Sequence, residues 1–177
     1  MEENVKVPFW KPALIYGAIL GFVGILVGVL FYFLNLTTQT WAGYVSIAIT
    51  IAVMAYCLVA YRKEYMGGYA SFGQVFLMAL VIGIIATILS AIYTYLMYAV
   101  IDPGLSEKMQ LMAEERIINN PRIPESMHGD LLERMEGRFT PGRMIRTALI
   151  WGSIGNAIIG LILAAFIKKN KPENPVA

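Results

Sequence analysis

The chain has 177 residues, of which 58% are hydrophobic and only 15% are charged. Soluble domains contain about 45–50% apolar and about 25% charged residues, so the composition favours a membrane protein. The formal net charge of +2 is too small to indicate binding to nucleic acid. A single cysteine and a single histidine exclude an internal disulfide and the usual zinc sites built from several Cys and His ligands.

Long stretches without charge predict membrane-spanning helices, because about 20 apolar helical residues cross the hydrocarbon core of a bilayer. Four segments satisfy this requirement: 13–34, 41–61, 72–101 and 147–167. The first is longer than the apolar part of a signal peptide, so we expect a retained span. The third has 30 residues, more than a bilayer requires, and we expect it to tilt or protrude.

Residues typical of helix starts indicate where three of these helices begin. Pro12 and Pro141 are suited to the first helical position, where an N–H has no partner within the helix. Thr140 and Ser71 are of the type that caps a helix N-terminus with a side-chain oxygen. We therefore expect the fourth helix to begin at Pro141, before its apolar part.

Residues 102–146 differ from the rest, since these 45 residues carry eight acidic and seven basic side chains. Helices are predicted over 103–119 and 125–137, with a break at NNPRIP. We expect them to form a helical hairpin outside the bilayer. The predicted fold class is an all-α integral membrane protein. Its four transmembrane helices would form a compact bundle, with the hairpin between the third and fourth, in a single membrane domain over 1–177.

Lysine and arginine beside the spans predict the orientation, because cytoplasmic loops carry an excess of both. Such residues precede the first span and follow the second and fourth: Lys6, Lys11, Arg62, Lys63, Lys168, Lys169 and Lys171. The loop 35–40 has none. Arg143 and Arg146 argue for the opposite orientation, but they end a long and nearly neutral segment. We expect both termini to be cytoplasmic and 102–146 to lie on the outer face.

Glycine recurs with helical spacing in the first span, at Gly17, Gly21, Gly24 and Gly28. At about 100° per residue, these positions fall within about 60° of one face. Glycine weakens a helix in water by about 1 kcal/mol relative to alanine, so four of them need a reason. Small residues let helix backbones approach closely in lipid, and we interpret the row as a packing seam.

The other spans contain comparable rows of small or weakly polar residues. In the third span the row repeats the spacing of the glycines: Gly83, Thr87, Ser90 and Thr94. Shorter rows occur in the second and fourth spans: Ala48, Ala52 and Ala55, and Gly152, Gly155 and Asn156. The simplest arrangement turns all four rows inward.

The polar members of these rows allow two interpretations. Thr87, Ser90, Thr94 and Asn156 either line a path for a neutral or lipid-like ligand, or pack the helices and bond to nearby backbone. We favour packing. Asn156 is the strongest functional candidate, because it lies near the middle of the fourth span. None of the apolar cores contains Asp, Glu, Lys, Arg or His, which argues against coupled transport of protons or ions.

No pattern typical of an enzyme occurs in the sequence. Ser71 lies in ASFGQ, which lacks the G-x-S-x-G motif of a nucleophile elbow. His128 has Glu125, Asp130 and Glu133 nearby, but one imidazole makes a poor zinc site, and a solvated helix face explains these residues better. We therefore expect no catalytic, cofactor-binding or metal-binding residues.

Half of the ten methionines lie in or beside the segment 102–146: Met109, Met112, Met127, Met135 and Met144. Methionine suits adaptable apolar surfaces. These side chains either bind a partner protein, or pack the two predicted helices on each other and on the membrane. We favour the second interpretation.

Several short motifs carry a resemblance to a known family. They are the glycine-rich first span, Arg62-Lys63 followed by GGYASFGQVF, and YAVIDPGLSEKM at the end of the third span. The following MAEE and the basic start of the fourth span fit as well. With these features the chain resembles a family of small bacterial membrane proteins catalogued as a domain of unknown function (DUF family 4199). The resemblance covers nearly the whole chain. It implies four spans and a bacterial inner-membrane location, and supplies no activity or ligand.

The sequence therefore predicts a non-enzymatic membrane scaffold or accessory subunit that acts through helix packing. Its expected partners are membrane lipid and either another membrane protein or a second copy of the chain. The alternative is a small transporter or channel for a neutral, apolar or lipid-like ligand. A third and weaker alternative, a membrane enzyme, would use His128 and Glu133 of the outer segment.

Overall fold

The computed structural model describes residues 9–171, and over this part of the chain it is helical without any strand. The predicted all-α fold is therefore confirmed. Lys6, which contributed to the predicted orientation, lies outside the described residues. Six α-helices and one π-helix follow in chain order: α1 Trp10–Phe33, α2 Thr40–Glu64, α3 Phe72–Tyr95, the π-helix Leu96–Ile101, α4 Gly104–Ile118, α5 Glu125–Met135 and α6 Pro141–Ile167.

Four helical segments are long and apolar enough to cross a membrane, as the sequence predicts. They are Trp10–Phe33, Thr40–Glu64, Phe72–Ile101 and Pro141–Ile167. The third is the most buried of them within the protein. In its most apolar stretch 44% of the residues are buried, compared with 17–22% in the other spans. α3 is therefore the helix on which the other spans depend most for packing.

The starts of α3 and α6 agree with the sequence, and the start of α1 differs. α6 begins at Pro141, and Ser71 caps α3, accepting a bond at Oγ from the Gln74 N–H (3.4 Å). The predicted role of Pro12 was wrong, because α1 begins two residues earlier. Proline is tolerated there because the first four N–H groups of a helix have no internal partner. The Thr140 hydroxyl donates to a carbonyl of the preceding turn, Gly137 O, at 2.9 Å.

The third span does not remain α-helical to its end. Residues Leu96–Ile101 form a π-helix, and the Asp102 N–H donates to the carbonyl of Met97, five residues earlier, at 2.8 Å. Asp102 itself has left the helical region, with φ −139° and ψ 79°. The following residue is Pro103, which disfavours helical backbone at the position before it. Proline thus ends the span.

The chain divides into two compact units, each with its own buried residues. The first contains residues 9–90 and 151–171, and the second is Ala91–Ile150. The first unit has a contiguous apolar core, with its largest fully buried side chains on α2 and α3: Met54, Leu58, Val75, Met78 and Ile82. In the second unit α4 packs against α5 and the π-helix, and Leu105 and Met97 are buried there.

The buried face of α2 is not the one that its alanines predict. The buried residues Met54, Cys57, Leu58 and Tyr61 recur at helical spacing. Ala48 and Ala52 lie on another face and are exposed, and Ala55 is half-buried. The prediction that the alanine row turns inward was wrong. Larger side chains than alanine form the buried face of α2.

The glycine row of α1 packs against α3 in its first half. A Cβ atom on Gly17 would lie 2.7 Å from Ile85 Cβ, and one on Gly21 would lie 2.6 Å from Leu89 Cδ1. Gly24 is exposed, and a Cβ atom on it would lie 3.9 Å from the nearest atom, Ser90 Oγ. Gly28 is half-buried. Gly17 and Gly21 therefore allow α1 and α3 to approach within one chain.

We predict that Gly17→Ile destabilises the folded monomer. The new Cβ would collide with the Cβ of Ile85, which is close to the backbone and cannot move aside freely. Overpacking of this kind costs about 1–3 kcal/mol. Thermal unfolding in detergent should give a lower midpoint than wild type.

Gly43→Ile is the matched control, since a Cβ on Gly43 meets nothing within 4 Å. Equal midpoints for the two variants would contradict the packing of α1 on α3. If Gly17→Ile left the monomer intact and instead split a dimer, the glycine row would be an intermolecular seam.

Candidate intramembrane site

Asn156 of α6 forms the polar centre of the first unit. Its side-chain nitrogen Nδ2 donates to Thr87 Oγ1 at 3.1 Å and to the backbone carbonyl of Gly83 at 3.4 Å. Thr87 is only 4% exposed. Both hydrogen bonds use the amide nitrogen, so the oxygen Oδ1 of Asn156 takes part in neither. The cluster crosses from α6 to α3 and involves no charged group.

This cluster is possible because two of the neighbouring residues are glycines, which have no side chain. A Cβ on Gly83 would lie 2.7 Å from the Cβ of Asn156, so only glycine at 83 leaves room for the asparagine. Likewise a Cβ on Gly152 would lie 3.0 Å from Thr87 Cγ2. The backbones of α3 and α6 are close enough at these points for Asn156 to reach a main-chain carbonyl.

The contact between α3 and α6 is a regular ladder. Gly152 meets Thr87, Asn156 meets Gly83, and Gly160 meets Ala79, where a Cβ on the glycine would lie 2.7 Å from the Ala79 Cβ. The positions advance by four on α6 and retreat by four on α3, which is the signature of antiparallel helices packed along one face. Gly160 and Ala79 were not predicted from the sequence. Their spacing of four from Asn156 and Gly83 was the signal.

A cleft of about 240 Å³ adjoins the cluster and is lined by residues of α1, α2, α3 and α6. Its polar side chains are Thr50, Ser90 and Asn156. Three glycines also line it, namely Gly24, Gly152 and Gly155. A Cβ on Gly155 would meet nothing within 4 Å, so the space beside it is not filled by this chain.

The structure places the four polar candidates in different surroundings. Asn156 and Ser90 line the cleft, whereas Thr87 is buried beside it and bonded to Asn156. Thr94 belongs to the second unit. Thr50, which the sequence analysis did not select, lines the cleft and donates to the Ser46 carbonyl at 2.9 Å within its own helix. Ser46 and Thr50 are four residues apart on one face of α2, and this spacing was the sequence signal for Thr50.

The cluster around His128 has an ordinary structural explanation. Its ring atom Nε2 lies 3.2 Å from the carbonyl oxygen of Ile123, within hydrogen-bonding distance. Among residues 9–171 no group of three or more His, Cys, Asp or Glu side chains could hold a metal ion. His128 therefore ties α5 to the turn before it.

A family comparison identifies the chain. A family model described as "Protein of unknown function (DUF4199)" matches residues 15–169. The chain belongs to the DUF4199 family. This confirms the resemblance drawn from the sequence motifs. No curated protein and no solved structure matches the chain. The matched range includes α1 to α6 almost completely, and thus all residues of the Asn156 cluster and the cleft of this DUF4199 protein.

We predict that Asn156 and Thr87 are energetically coupled in the DUF4199 protein. Asn156→Leu and Thr87→Val each remove one side of the hydrogen bond and keep the side chain at a similar size. Interhelical hydrogen bonds in membranes average about 0.6 kcal/mol and reach about 1.7 kcal/mol. A double-mutant cycle on unfolding free energy should give a coupling in this range.

Thr50→Val combined with Asn156→Leu is the matched cycle, because the Thr50 hydroxyl is bonded within α2. Its coupling energy should be close to zero. Additive effects of Asn156→Leu and Thr87→Val would show that the bond contributes nothing to holding α3 and α6 together.

Proposed function

We propose that this DUF4199 protein is a non-enzymatic membrane scaffold or accessory subunit that acts through helix packing. The observation that carries the proposal is the cleft beside Asn156, a space within the spans that the chain itself leaves unfilled. Its lining is mostly apolar and includes three glycines, with neutral polar groups and no ionisable side chain. Such a surface suits recognition by shape within the membrane and offers no group for acid–base chemistry.

The proposed occupant is a transmembrane helix of another membrane protein. Glycine at 24 and 155 lets a partner backbone approach closely, which is what drives helix association in lipid. About 240 Å³ holds apolar side chains projecting from such a helix, but not a whole helix. At the rim Trp151 is 67% exposed, and an exposed tryptophan is a typical anchor of an interface. Asn156 Oδ1 can accept a hydrogen bond from a hydroxyl or amide of the partner.

The second candidate is a carrier or channel for a neutral, apolar or lipid-like ligand. The volume of the cleft and the presence of Ser90, Thr50 and Asn156 in its wall favour it. It is the weaker candidate, because the Thr87 hydroxyl is already bonded to Asn156 and buried. A hydrated path would need that group to bind water or the ligand instead.

We also propose a bacterial inner membrane as the location, with four spans in a compact bundle. Both termini would be cytoplasmic and 102–146 would lie on the outer face. The excess of lysine and arginine beside the cytoplasmic ends of the spans supports this orientation.

Filling the cleft should remove the partner without unfolding the protein. Gly155→Leu places a side chain into the open space, and we expect the folded protein to keep its thermal midpoint. Native membrane patches extracted without detergent and analysed by mass spectrometry should show a stoichiometric protein partner with wild type and lose it with Gly155→Leu. Gly43→Leu, an equally open position on α2 outside the cleft lining, should retain that partner.

Other outcomes of this comparison would replace the proposal. A lipid or small molecule lost selectively with Gly155→Leu would support the carrier instead. A second copy of the chain lost in the same way would make the protein a homo-oligomer. A partner that both variants retain would exclude the cleft as its binding site.

The orientation can be tested by cysteine labelling, because the single cysteine, Cys57, is buried. Ser126→Cys and Asn170→Cys introduce exposed thiols on α5 and after α6 without changing the charge. In intact spheroplasts a membrane-impermeant maleimide should label Ser126→Cys only. Asn170→Cys should react after permeabilisation. The reverse pattern would invert the orientation.

A further inference from the structure

The segments before α3 and after α6 are joined by backbone hydrogen bonds. The Ala70 N–H donates to the Lys169 carbonyl, and the Lys169 N–H donates to the Ala70 carbonyl, both at 2.9 Å. Arg62 Nη1 also donates to the carbonyl of Ile167, the last residue of α6, at 2.6 Å. Lysine residues that follow α6 are therefore held at a fixed place beside the start of α3.

A cavity of about 320 Å³ lies at this junction. Two lysines, neutral polar side chains and apolar side chains form its wall: Met66, Tyr69, Ala70, Ser71, Gln74, Lys169, Asn170 and Lys171. Among residues 9–171, no acidic side chain lines it. The Lys169 ammonium lies 5.2 Å from the centre of the Tyr69 ring, which orients that side chain. Two positive charges thus face one cavity, and none of its described lining residues is a carboxylate.

The start of α3 adds to the positive potential of this cavity. Ser71 and Gln74 form a reciprocal capping box, in which the Ser71 N–H donates to Gln74 Oε1 at 2.9 Å and the Gln74 N–H donates to Ser71 Oγ. This cap fixes the helix start at the cavity wall. The N-terminal end of the α3 dipole carries partial positive charge. The potential therefore favours an anion.

The depth of the cavity indicates which anion. α3 begins at Phe72 and α6 ends at Ile167, so the lysines stand where two apolar spans end and the lipid headgroups begin. We propose that this cavity binds a phosphate group, either of an anionic phospholipid headgroup or of a free phosphate. Basic cavities between transmembrane helices at headgroup depth are suited to this chemistry. The proposal does not depend on the function proposed for the cleft.

The test is lipid binding by the purified full chain in detergent, followed by native mass spectrometry. Phosphatidylglycerol, which is anionic, should bind with at least about tenfold higher affinity than zwitterionic phosphatidylcholine. A lysine that faces the bound anionic headgroup contributes roughly a fivefold gain in affinity. The double variant Lys169→Gln/Lys171→Gln should therefore lose roughly 25-fold in affinity for phosphatidylglycerol. Both substitutions leave the backbone bonds of residue 169 in place.

Lys168→Gln is the matched control for Lys169→Gln and Lys171→Gln made singly, because each of the three removes one positive charge and Lys168 does not line the cavity. Each single cavity variant should lose roughly fivefold in affinity for phosphatidylglycerol. The affinity of Lys168→Gln for phosphatidylglycerol should stay within about twofold of wild type. Equal losses in the control and the single cavity variants would overturn the proposal, as would equal affinities of wild type for the two lipids. Competition by 10 mM inorganic phosphate separates the two sources. If inorganic phosphate displaces the lipid, the cavity binds the phosphate group alone. If the lipid stays bound, the cavity binds a phospholipid.

Discussion

Close approach of helix backbones is the constraint on which the first unit depends. Within lipid there is little hydrophobic force between helices, so van der Waals contact and hydrogen bonds must hold them. α3 makes such contacts with two neighbours. It meets α6 along Gly152, Asn156 and Gly160, and it meets α1 at Gly17 and Gly21. Each contact is possible because one partner of the pair lacks a side chain or has a small one.

The same constraint explains why a polar group lies within the spans. A backbone carbonyl of α3 can be reached from α6 only where no side chain intervenes, and Gly83 provides that opening. Asn156 uses it and also bonds to Thr87. The rows of small residues on α1 and α6 also include positions that no other helix fills, and the cleft lies there. Gly24 and Gly155 mark that space, so the cleft and the seam arise from the same residue pattern.

Hydropathy predicted the four spans and proline predicted the start of α6, because both depend on local sequence alone. The partners of the small residues could not be predicted in this way. Alanine on α2 fits an interface and a lipid-facing surface equally well, and Met54 and Leu58 took the buried face instead. Gly160 and Thr50 were missed because their significance depends on which helix lies opposite. The cavity proposed to bind phosphate is lined by residues about 100 positions apart in the sequence. The backbone hydrogen bonds between Ala70 and Lys169 bring these residues together.

In the first unit, the charged groups of the described residues lie at the ends of the spans, and two of them stabilise the protein's own structure. Arg62 binds the last carbonyl of α6, and Glu64 accepts a hydrogen bond from the Tyr16 hydroxyl at 2.9 Å. The interior of the spans retains only neutral polar groups, of which Asn156 has one oxygen outside the cluster's hydrogen bonds. Recognition within the bilayer must then depend on shape and on a single amide. Recognition of charge is proposed for the ends of the spans, where Lys169 and Lys171 line the second cavity. The two proposed sites therefore select for different chemistry, and a partner or lipid could occupy either one alone.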